Sequence, residues 1–160
     1  MISRRTFLSG LGATIVVAAS GAPTNRAHAA TALHILSAPN CGCCHAWADL
    51  ARARGYAVTI EDLTDPAAQK AARGVPGNLA SCHTVEGDGY VFEGHVPFEA
   101  IEAVLRDRPD ITGLAVPGMP MGSPGMGDDP NARFDVIAFG GSAGAGSVFY
   151  RAGTTRPFDV

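Results

Sequence analysis

Three of the chain's four cysteines and one histidine occupy five consecutive positions, Cys41-Gly42-Cys43-Cys44-His45. Thiols are soft ligands and readily oxidised, so such a cluster points to soft-metal binding, thiol-disulfide exchange or structural disulfides. The fourth cysteine adjoins a histidine at Cys82-His83, and His95 stands in the run Glu93-Gly94-His95-Val96-Pro97. Beyond Met1, the methionines are confined to Met119, Met121 and Met126. Their glycine- and proline-rich segment has no periodicity that would make them core residues, so their thioethers join the candidate soft donors.

Each chemistry uses a different share of this inventory. Cys41 and Cys44 have the spacing of a thioredoxin-type redox pair, which makes a thiol-disulfide oxidoreductase the first alternative. Against it, Asn40 stands where that motif carries tryptophan, and Cys43 would be an unwanted resolving thiol beside Cys44. Two structural disulfides suit an oxidising compartment, but Cys43 and Cys44 are neighbours, and a bridge between neighbours is strained. Zinc would be satisfied by Cys41, Cys44, Cys82 and one histidine, leaving Cys43 and the methionines idle. Copper uses more of the set, because thiolate, imidazole and thioether all bind Cu(I) and imidazole also binds Cu(II). Among the histidines, His34 lies inside an apolar run and reads as structural, while His45 falls on the first turn of a helix. On a regular strand Cys82 and His83 would face opposite ways, so only one of them would reach the cluster. His95, at a strand end, is the best placed.

The elements that must position these groups follow from periodicity and punctuation. Leu33 to Ala38 reads as a buried strand ended by Pro39, and Trp47, Leu50, Ala51 and Arg54 mark one face of a helix that starts near Cys43 or Cys44 and stops at Gly55. The cysteines therefore sit at a strand-to-helix turn, where unpaired N–H groups and the helix dipole favour thiolate. Tyr56, Val58 and Ile60 form a second strand; Asp65-Pro66 caps a short helix running to Gly74. Ser81 to Val85 and Tyr90 to Val96 make a hairpin about Glu86-Gly87-Asp88-Gly89, followed by a third helix from Pro97 to about Arg108. The order β-α-β-α-β-β-α is that of a thioredoxin-like α/β fold, with Val75-Pro76 as its candidate cis bond. Residues 113–127 are too rich in glycine and proline for a helix or a central strand, and Phe134 to Phe139 with Ser147 to Tyr150 form a terminal β-hairpin.

The chain of 160 residues, 46 % hydrophobic and 17 % charged, has a globular composition. Residues 1–29 are expected to be a twin-arginine export signal: Ser3-Arg4-Arg5-Thr6-Phe7-Leu8, the apolar run Leu11 to Ala19, and the small-x-small site Ala27-His28-Ala29. That run is too short to span a bilayer, so a single domain of residues 30–160, delivered to the periplasm and free of membrane spans, is expected. Removing the leader takes three arginines and no acids from a chain of formal net charge −3, which leaves −6. Nucleic acid is thereby an unfavoured partner.

Taken together, several motifs resemble the DUF411 family of predicted metal-binding proteins, of the periplasmic copper-resistance (CopG) type. They are Cys41-Gly42-Cys43-Cys44 with Trp47, Gly74-Val75-Pro76, Ser81-Cys82-His83-Thr84, Gly89-Tyr90, Glu93-Gly94-His95-Val96-Pro97, Gly113 to Pro120 and Gly122 to Met126. The resemblance runs from about Leu33 to Phe149. It implies a thioredoxin-like domain that holds a multinuclear copper cluster on Cys41, Cys43, Cys44 and Cys82, with His95 next and His83, Met119, Met121 and Met126 behind. It further implies a role in copper tolerance, interconversion of Cu(I) and Cu(II), and partners among other periplasmic copper-handling proteins. One departure is Gly127, which stands where the pattern leads one to expect an acidic residue.

Overall fold

The computed structural model describes residues 31–154 and 158. The expected leader lies outside these residues. The element order is β1 (Ala32–Ser37), α1 (Gly42–Ala53), β2 (Ala57–Asp62), α2 (Pro66–Ala72), β3 (His83–Gly87), β4 (Tyr90–Glu93), α3 (Phe98–Asp107), β5 (Gly113–Ala115), β6 (Phe134–Phe139) and β7 (Ser147–Ala152). One mixed sheet of seven strands runs β2-β1-β3-β4-β5-β6-β7. β1 pairs parallel with β2 through the α1 crossover, β3 turns back antiparallel between β1 and β4, and β5 adds parallel to β4.

Local chemistry accounts for most of these boundaries. The Asp65 carboxylate accepts the Ala68 N–H at the start of α2, and Pro66 occupies the first helical position. The β3–β4 hairpin closes on Asp88-Gly89, both at positive φ (49° and 87°), the two-residue turn whose twist matches the flanking strands. The strand thus continues through Gly87, two residues beyond the Val85 end expected from sequence. α1 begins at Gly42, slightly earlier than its apolar spacing suggested, because Asn40 takes φ 62° and turns the chain into the helix.

The main core lies on one sheet face. Trp47, Ala48 and Ala51 of α1 and Phe98, Ile101 and Val104 of α3 pack on Leu33, Ile35, Val85, Phe92 and Leu114. Each large apolar side chain so buried contributes about 1.5–3 kcal/mol. Strand alternation turns Thr84 and Glu93 to the opposite face, where Lys70 of α2 meets them.

Two sequence expectations need correction. Residues 113–115 form an interior strand, although their surroundings are rich in glycine and proline. Gly113 itself makes this possible: a Cβ there would overlap the Val91 carbonyl on β4, so glycine is the residue that lets β5 come close enough to pair. The candidate cis bond at Val75-Pro76 is trans, as are the other described peptide bonds, and Pro76 instead leads into a short 3₁₀ turn, Gly77–Leu79.

Candidate metal centre

Four chain segments converge on the cysteines. Cys41 caps the N-terminus of α1, its carbonyl accepting the N–H groups of Cys44 (3.1 Å) and His45 (3.3 Å). Cys41 and Cys44 are joined in a disulfide, and Cys43 and Cys82 are free. The Cys43 sulfur lies 3.5 Å from that of Cys41 and 3.8 Å from that of Cys82. Cys82 in turn lies 3.1 Å from His83 Nδ1 and 3.0 Å from His95 Nε2.

These contacts define two donor groups that share one sulfur. Cys41, Cys43, Cys44 and Cys82 form one, and Cys82, His83 and His95 the other; within each, the ligand atoms lie within 4.8 Å of one another. Cys82 and His83 reach the same site despite being adjacent, contrary to the alternation expected of a regular strand. The reason is local: β3 begins only at His83, and Cys82 sits in the bend before it, free of the pleat.

The second donor group is tuned toward neutral ligands. A carbonyl can only accept, so the 2.7 Å contact of His95 Nδ1 with Pro124 O fixes the proton on Nδ1 and leaves the Nε2 lone pair facing Cys82. Burial lowers the His95 pKa, with the Pro124 bond opposing. Burial, reinforced by the charges of His95 and Lys70, pushes the His83 imidazole down to about 3. The Cys82 thiol is pushed up to about 12 by burial first and by neighbouring Cys43 second. His83 Nε2 is a buried nitrogen with no hydrogen-bond partner among the described residues, on the far side of the ring from the Nδ1 that meets Cys82. Soft sulfurs, neutral imidazoles and an unpartnered ring nitrogen fit copper, and the proton on Cys82 is one that a metal must displace.

The remaining candidates are placed differently. His45 is exposed and belongs to neither group. His34 lies on β1 between Glu61 (3.2 Å) and Glu86 (3.6 Å), the structural role its setting suggested. Met119 and Met121 are 52 % and 59 % exposed on the loop after β5, and Met126 is half-buried. That loop docks against α1: a Cβ on Gly125 would lie 2.8 Å from Trp47 N and 3.1 Å from Cys43 O. Trp47 anchors the other side, its Nε1 donating to Val96 O at 3.2 Å and its ring lying 5.5 Å from that of His83. Sequence reasoning passed over Lys70, Thr84 and Glu93, which form a buried polar cluster behind Cys82-His83. Their signal was the presence of Thr84 and Glu93 inside the two histidine motifs.

Two solved structures of a copper resistance protein CopG are similar over most of their length. The form 2 structure is 41 % identical with a TM-score of 0.68, the match covering 74 % of this chain and 95 % of that one. The chain belongs to the DUF411 family, whose model it also matches. The form 1 structure is 42 % identical with a TM-score of 0.67, over 73 % and 93 % of the two chains. The family described as "Protein of unknown function, DUF411" matches residues 79–126, which hold Cys82, His83, His95, Met119, Met121 and Met126 of this DUF411 protein. No curated protein matches it. Among its described residues no helix is long and apolar enough to cross a membrane.

Proposed function

We propose that the protein is an exported copper-binding protein of copper homeostasis and tolerance, and that copper is its cargo. The observation that carries this reading is the shared Cys82 sulfur, which links a four-cysteine group to a Cys-His-His group. Cys43 and Cys82, and Cys41 and Cys44 once a thiol reductant has opened their bridge, would supply thiolates that suit Cu(I), and His83 and His95 imidazoles that serve Cu(I) and Cu(II) alike. A sulfur common to both groups favours a multinuclear cluster, and the mixed donor set favours interconversion of the two copper states. Met119, Met121 and Met126 would add thioethers from the loop. The strand order β2-β1-β3-β4, with the cysteines at the turn after β1, supports a thioredoxin-like core for a domain of residues 30–160. The twin-arginine sequence supports delivery to the periplasm, where other copper-handling proteins would be its partners.

Copper analysis of protein purified anaerobically from copper-supplemented cells tests this reading. Several coppers per chain, sharply fewer in Cys43→Ser, are expected; no copper retained after desalting overturns it.

A second reading draws on a specific observation, the Cys41–Cys44 disulfide with free Cys43 3.5 Å from Cys41. A periplasmic thiol-disulfide oxidoreductase would catalyse the reduction of insulin by dithiothreitol without metal, and would lose that activity in Cys44→Ser but not in Cys43→Ser.

A further inference from the structure

Lys70 and Glu93 belong to neither donor group, yet they form the most enclosed ion pair of the described residues. The Glu93 side chain is fully buried and that of Lys70 only 11 % exposed, with Nζ 2.6 Å from Oε1. The same carboxylate accepts the Ser81 backbone N–H on Oε1 and the Thr84 hydroxyl on Oε2, each at 2.6 Å. Lys70 also donates to Thr84 Oγ1 at 3.0 Å. Ser81 and Thr84 are the residues on either side of Cys82-His83. One carboxylate therefore grips both ends of the ligand dipeptide from the opposite face of the sheet.

Glu93 is also two residues from the third ligand, His95. Its carbonyl accepts Val116 N–H at 2.9 Å, and the next residue, Gly94, donates to His83 O at 2.8 Å. The turn that presents His95 and the bend that presents Cys82 thus share a single fixed point. Burying two charges is a poor way to stabilise a fold, since apolar residues of similar volume often do as well or better. What the carboxylate provides here is direction. Cys82 must leave the path of β3 for it and His83 to face one site; beside the bond of the Ser81 hydroxyl to Gly118 O, the Ser81 N–H and Thr84 hydroxyl bonds to one carboxylate hold the dipeptide off that path jointly, so that losing either loosens it.

We propose that Glu93, neutralised by Lys70, is a positioning residue that sets Cys82 and His83 against His95 for metal binding. Its metal-bound readout rests on the copper reading above; its metal-free readout does not. Outer partners of metal ligands typically control affinity by 10–100-fold.

The test compares three variants with the wild type. Lys70→Met/Glu93→Leu removes charge and anchor together. Lys70→Met/Glu93→Gln removes the charge but keeps an amide that can accept from Ser81 and donate to Thr84. Thr84→Val removes one anchor without changing shape. Two quantities are read: Cu(I) affinity by chelator competition, and, in metal-free protein, the nuclear Overhauser contact between the Cys82 β-protons and the His95 ring. The Leu variant is expected to melt cooperatively, bind Cu(I) about 10–100-fold more weakly and lose the contact. The Gln variant is expected to recover both, a rescue that a purely stabilising role would not produce. Wild-type affinity and an intact contact in the Leu variant overturn the proposal. Should the Leu variant fail to fold, Thr84→Val decides, with an unchanged contact and affinity overturning the idea. If the wild type binds no Cu(I), the copper reading falls, and the metal-free contact alone decides whether Glu93 positions these side chains.

Discussion

His95 donates its Nδ1–H to the carbonyl of Pro124 across 2.7 Å, joining residues 29 apart in sequence. The bond ties the Gly/Pro loop to the donor site through a backbone carbonyl. Gly125 permits this by running against the first turns of α1 at φ +85°. Gly125→Ala is therefore expected to push the loop away and release the imidazole, costing about 1–3 kcal/mol of stability. It should also weaken Cu(I) binding by about tenfold. Chemical denaturation with chelator competition would check both, and unchanged copper affinity would refute the link.

Cys82 belongs to both donor groups, whereas Cys44 belongs to one. Cys82→Ser should consequently lose more copper per chain than Cys44→Ser under identical loading. Elemental analysis of the two variants side by side gives the answer; equal losses would argue against a shared sulfur.

With four cysteines in the chain and one bridge, oxidised protein should present two thiols on denaturation and four after reduction. Peptide mapping should find the bridge at Cys41 and Cys44. The reduced form should hold more copper than the oxidised form, because reduction returns two sulfurs to the first donor group.

The buried neutral His83 gives the metal-free protein an acid-labile component. Its folded pKa of about 3 lies below the ordinary 6.5, so the unfolded chain takes up a proton that the folded chain refuses. The stability tied to this group is complete above pH 6.5 and is lost as pH falls toward 3. A decline of a few kcal/mol across that window is expected by urea denaturation, with a flatter profile in His83→Phe. Identical profiles would exclude His83 as the source.

Much of the fold was legible because its signals are local. Apolar periodicity gave α1 and α3, Asp65-Pro66 gave the start of α2, and Asp88-Gly89 gave the hairpin. β5 was missed because its single telling feature, the glycine at 113, serves close approach to Val91 of another strand. The candidate donors Cys41, Cys43, Cys44, Cys82 and His95, which the fold brings into two adjoining groups, were named from ligand chemistry and motif. That both Cys82 and His83 belong to the candidate set came from the family motif and against strand alternation, since it depends on where β3 begins. Lys70 was invisible for a similar reason: in sequence it is an ordinary helix lysine, and its burial arises only when α2 docks over Thr84 and Glu93.

The strand order also decides how the molecule meets other chains. β2 and β7 are the outermost strands, and an unprotected outer strand invites pairing with a neighbour. β2 ends in exposed Glu61 and Asp62, while Tyr150 of β7 bridges to Phe158 from the chain's own C-terminal end. Acidic repulsion on one flank and self-capping on the other oppose strand-to-strand self-association.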